Sequence, residues 1–97
     1  MNVLVQETTT MNTTAKLLRR LTQGAHDFTW SELVTVLASL GFVETSSGRG
    51  SRRTFVSPQG QKIHLHQPHP GNTVKRYMMK QVISALRSYG VPIKEQT

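Results

Sequence analysis

A chain of 97 residues with 36% hydrophobic content can build one modest core and has no room for a second folded unit. The lack of cysteine excludes a disulfide framework, a thiol nucleophile and a thiolate metal site, and no apolar run is long enough to span a membrane. A formal charge of +7 and a sequence pI of about 10.6 point to a polyanionic partner, because clustered Lys and Arg attract phosphate and release its counterions, with a merely solvated basic surface as the plainer alternative.

Residues 1–12 carry three consecutive threonines and no helical periodicity, so they are expected to be a flexible leader, with residues 13–97 as a single domain. The start, MNVLVQETTTMNTT, has neither the basic segment nor the long apolar stretch of a signal peptide, and a soluble cytoplasmic chain is the expectation. With Thr13 or Thr14 as N-cap, AKLLRRLTQ predicts a short helix whose stripe is Leu17, Leu18 and Leu21 and which Gly24 ends. That helix either covers one side of the core or meets a partner. Thr29-Trp30-Ser31-Glu32 fits a capping box, and Trp30, Leu33, Val34, Leu37 and Leu40 recur at helical spacing until Gly41 closes the element.

Phe42 to Thr45 predicts a short edge strand, followed by the glycine-rich loop Ser46 to Gly50, where the backbone can approach a phosphate or simply turn. Ser51 to Ser57 and Gln61 to His66 read as two strands joined by the turn residues Pro58-Gln59-Gly60. Side-chain parity then sets the register. If Ser57 pairs with Gln61, Phe55 faces Ile63, Arg53 faces Leu65, Thr54 faces His64 and Arg52 faces His66. Phe55, Ile63 and Leu65 form a packing face, while Arg52, Thr54, Val56, Lys62, His64 and His66 lie on the other, open and cationic.

Gln67-Pro68-His69-Pro70-Gly71 is a stiff, extended connection. Asn72 or Thr73 is the expected cap of a final helix running through Tyr89, with Gly90 as its stop. Val74, Tyr77, Met78, Val82, Ala85, Leu86 and Tyr89 make its expected packing face, and Arg76, Lys80 and Arg87 lie on another. The order helix, helix, strand, strand, strand, helix predicts an α+β domain: a three-stranded antiparallel sheet with helices on one face. This core resembles a double-stranded-RNA-binding fold with an extra N-terminal helix.

Between Glu44 and Glu95 there is no acidic residue, while nine cations run from Arg49 to Lys94. The expected RNA contacts in this half are Arg49, Gly50, Ser51, Arg53, Lys62, Lys75, Arg76 and Lys80.

Residues 29–90 resemble the HicA family of bacterial type II toxins. The resemblance is carried in order by Leu40-Gly41-Phe42 at a helix end, Gly50-Ser51 before a strand with Phe55, a hairpin, His69-Pro70, and Lys75 opening the last helix before Gly90. It implies a small basic mRNA interferase of α-β-β-β-α fold, neutralised by a HicB-like antitoxin. Two departures stand out. The family motif Gly-Ser-His-x-x-Phe, whose histidine is catalytic, reads here Gly50-Ser51-Arg52-Arg53-Thr54-Phe55, so Arg52 stands at the histidine position. After the basic residue of the last helix, where the family usually has Gly-Thr-Leu, this chain has Tyr77-Met78-Met79.

Arginine stays protonated near neutral pH and cannot act as a base, but it can hold a phosphate and stabilise transition-state charge. Cleavage by 2′-hydroxyl attack needs a base and an acid, and histidine suits both. Across the hairpin from Arg52 stands His66, with His64 next on the same face. These three are the expected catalytic residues, with no metal and no cofactor. Two alternatives stay open: a catalytically inactive RNA-binding module of the same fold, and a metal hydrolase using His64, His66 and His69, which has no carboxylate or thiol nearby to complete a ligand set.

Overall fold

A computed structural model describes residues 14–45 and 50–93. The expected leader, residues 1–12, and most of the glycine-rich loop, including Arg49, lie outside the described residues. Three helices and three strands follow in the expected order: α1 (residues 14–23), α2 (Trp30–Ser39), β1 (Val43–Thr45), β2 (Arg52–Val56), β3 (Lys62–His66) and α3 (Arg76–Ser88). The strands form one antiparallel sheet in the order β1-β2-β3.

The hairpin register is the one that parity predicts, with Arg52 paired to His66, Arg53 to Leu65, Thr54 to His64 and Phe55 to Ile63. The turn itself fixes it. The Ser57 N–H donates to the Gln61 carbonyl at 2.9 Å, the Gly60 N–H returns to the Ser57 carbonyl at 2.9 Å, and the Gln61 N–H donates to the Ser57 hydroxyl at 3.1 Å. Alternation along β3 then sends Ile63 and Leu65 into the core and leaves Lys62, His64 and His66 exposed.

On the inner face, Phe55, Ile63 and Leu65 meet Leu33, Val36 and Leu37 of α2 and Met78, Met79, Val82 and Leu86 of α3, all buried. Burying one such side chain stabilises by about 1.5–3 kcal/mol, and the tilted pairing of Trp30 with Phe55, 5.9 Å between ring centroids, adds a directional contact. Leu21 of α1 is also fully buried, with Leu17 and Leu18 packed against the core. The first helix therefore covers the core. Helices α2 and α3 end alike: Gly41 and Gly90 take positive φ angles of 93° and 87°. Beyond them the N–H of Phe42 reaches back to Leu37, and that of Val91 to Leu86, which satisfies the last carbonyls.

The final helix departs from expectation at its start. Neither Asn72 nor Thr73 caps it; it begins at Arg76 with Lys75 at the N-cap and no side-chain cap. The reason lies in the backbone: the Asn72 carbonyl accepts the Trp30 N–H at 2.7 Å, Thr73 bridges Thr29, and the Val74 N–H donates to the Phe28 carbonyl at 2.8 Å. These residues tie the chain to the start of α2 and so cannot turn into helix. Within the helix, about 100° per residue places Met78 and Met79 on the buried side with Val82 and Leu86 and leaves Tyr77 facing outward.

Candidate functional site

The sheet face opposite the helices gathers Arg52, Lys62, His64 and His66 at the expected positions, on neighbouring strands. His64 is held by the Thr54 hydroxyl, 3.1 Å from its Nδ1, which leaves Nε2 pointing away from that partner. The Ser51 hydroxyl lies 3.5 Å from Nδ1 of His66, a long contact that orients the ring only loosely. His66 also borders a cleft of about 460 Å³ shared with Lys75, Tyr77, Met78 and the 67–73 connection. On the other side of that connection Gly50, Ser51 and Arg53 meet Gln67, Pro68 and His69 around a second hollow. Ser51 and His66 thus stand where the open sheet face meets the connecting loop.

The electrostatics of this region follow from where the acids go. Among the described residues each acid is paired with an arginine. Glu44 lies 3.2 Å from Arg53, while Arg20 holds Asp27 at 2.5 Å and Glu32 at 2.7 Å. The Glu32 carboxylate also accepts the Thr29 N–H at 2.9 Å, completing the capping box with the Thr29 hydroxyl. Chiefly that backbone hydrogen bond, and then Arg20, hold the Glu32 carboxyl below its ordinary pKa. The Arg20 hydrogen bond does the same to Asp27, and Arg20 is raised in turn, by Glu32 first. No acid shares the open face with Arg52 and Lys62 among the described residues, so the face stays cationic.

The other expected contacts divide. Lys75 shares the cleft with His66, and Lys80 is exposed on α3. Arg53 faces the helix side, where it donates to the Gly50 carbonyl at 2.8 Å and pairs with Glu44; it braces the turn beside Ser51. Arg76 folds back over Gly24, where an added Cβ would meet its Nε at 3.0 Å, so its guanidinium sits at the end of α1. Tyr77 and His69 border the cleft, although the sequence reads the first as part of the packing face and the second as part of a stiff connection. Among the described residues no three of His, Cys, Asp and Glu come together to hold a metal ion, so the three-histidine ligand set has no geometric basis.

A basic open face on a sheet backed by helices, with a double-stranded-RNA-binding-like core and an added first helix, defines a small basic α+β domain. Residues 30–91 match the family model described as HicA toxin of bacterial toxin-antitoxin. The chain belongs to the HicA toxin family, and its general role is that of a toxin of a toxin-antitoxin system. Comparison with curated proteins and with solved structures gives no match. No helix among the described residues is long and apolar enough to cross a membrane.

Proposed function

We propose that the chain binds mRNA on its open sheet face and cleaves it without a metal ion, and that a HicB-like antitoxin silences it by covering this face. The observation that supports the reading best is the pairing of Arg52 with His66 on a surface that carries no acid among the described residues. In this scheme Arg52 holds the scissile phosphate and stabilises the charge that builds on it. His66 accepts the 2′-hydroxyl proton as that oxygen attacks phosphorus, and the bond to the 5′-oxygen breaks. His64, next on the same face, is the second imidazole and supplies the proton to the leaving oxygen. Arg49, Gly50, Ser51, Lys62, Lys75 and Lys80 contribute phosphate contacts around this centre, Arg53 supports Gly50, and Arg76 adds positive potential from the α1 side.

A binding-only module is the second reading, and one observation favours it: the motif position that carries the family's histidine holds Arg52. An RNA-cleavage assay with and without chelator decides. Cutting that survives chelator supports the ribonuclease, tight binding without cutting supports the module, and chelator-sensitive cutting overturns both.

A further inference from the structure

We infer that the cleft beside His66 is a nucleobase subsite, in which Tyr77 stacks on one base of a single-stranded RNA crossing the open sheet face. The inference rests on the RNA-binding reading above and adds the residue that would grip a base rather than a phosphate. Among the described residues Tyr77 and Val43 are the exposed large hydrophobic side chains, Tyr77 at 64%. The core does not need this ring, because the adjacent Met78 and Met79 fill the buried positions on α3, at 4% and 1% exposure.

What surrounds the ring suits a nucleotide. The cleft joins Tyr77 to His66, Lys75 and Asn72, and its volume of about 460 Å³ falls within the roughly 300–1,000 Å³ of small-ligand sites. An aromatic face offers sequence-tolerant stacking to any unpaired base. The Lys75 ammonium is placed for a neighbouring phosphate, and the Asn72 side-chain amide carries both a donor and an acceptor for a base edge. Among the described residues no acid lines the cleft, so none of them repels the backbone. His66 belongs to both the open face and the cleft, so a strand that enters the cleft passes the histidine. A base in a duplex is already stacked on both sides, which is why the partner must be single-stranded here.

The test measures binding of a fluorescein-labelled, 2′-O-methylated mixed-sequence RNA oligomer, which cannot be cut by 2′-hydroxyl attack, beside the same backbone with abasic residues. Tyr77→Ala should weaken binding of the base-bearing oligomer about 5- to 150-fold and leave binding of the abasic one unchanged. Tyr77→Phe should keep the affinity, and Tyr77→Leu, which keeps bulk without a ring, should behave like the alanine variant. In the wild-type protein the Tyr77 ring protons should shift upfield in NMR with the base-bearing oligomer alone. If wild type binds RNA and Tyr77→Ala binds it equally well, or loses the same affinity for both oligomers, the stacking inference is overturned while the RNA-binding reading stands. Wild-type failure to bind either oligomer overturns both.

Discussion

At the corner where α1 meets α2, both acids have an answer: Arg20 holds Asp27 and Glu32 and lies over the Phe28 ring, 5.4 Å from its centroid, while the Thr29 capping box closes the start of α2. At the corner where β3 meets α3, the arrangement is reversed. Helix α3 opens with Lys75 at its N-cap, without a side-chain cap and without an acid in its first turn. A cation beside the positive end of a helix is locally unfavourable, and an aromatic ring stands exposed next to it. Of two helix starts in one small domain, one is closed by a capping box and ion pairs and the other has neither a side-chain cap nor an acid in its first turn. The difference sets a corner built from paired charges against one built around a lysine and an exposed ring.

The largest effect should come from breaking the closed corner at its base. Phe28 is fully buried, and Phe28→Ala should cost about 3–5 kcal/mol, read by chemical denaturation; a loss below about 1 kcal/mol would show that this corner does not anchor the fold. At the open corner, His66→Ala should lower RNA cleavage by about 100-fold or more with little change in affinity or melting temperature. Cleavage at the parental rate by His66→Ala and His64→Ala alike would remove the histidine mechanism. Affinity of the intact protein for RNA should fall linearly with log salt, and Lys75→Gln should reduce that slope by about 1. A flat salt response would mean that the basic face does not meet phosphate.

A smaller effect belongs to the cap. Thr29→Ala should destabilise by about 1 kcal/mol, measured in the same denaturation experiment. The acids of the closed corner give the least effect and a definite sign. Glu32 and Asp27 are held below their ordinary values of 4.5 and 3.8, so their contribution is complete above pH 4.5 and is lost as pH falls through the lowered folded-state values. Arg20→Ala should flatten that acid limb of the stability curve, and an unchanged limb would show that Arg20 does not set it.

Much of this was legible in the residues because local rules and packing agreed. Parity and the Pro58-Gln59-Gly60 turn define one register, and Gly24, Gly41 and Gly90 mark the helix ends before any contact is known. The start of α3 was not legible, since Asn72 and Thr73 have good capping chemistry and only the distant segment Phe28 to Trp30 draws them into backbone pairing. Tyr77 was misplaced because the expected packing face was drawn too wide: at about 100° per residue it stands nearly opposite Met79, Val82 and Leu86, the side that the core takes. The placing of Arg52, His64 and His66 on one face follows from periodicity alone. The destinations of Arg53 and Arg76 do not, because a long cation reaches across elements to Glu44 or over Gly24, and no local pattern encodes that reach.

Helix α3 also acts on the sheet, from its middle and from its C-cap. β3 is an edge strand, yet the Tyr89 hydroxyl donates to the Lys62 carbonyl at 2.6 Å and the Gln81 amide donates to the His64 carbonyl at 3.0 Å. Two acceptors that an incoming strand would need are already occupied by the protein's own side chains. This guards β3 against β-addition, so that a partner using an extended segment would have to enlarge the sheet at β1, leaving the histidine-bearing edge unpaired and the basic face uncovered by backbone.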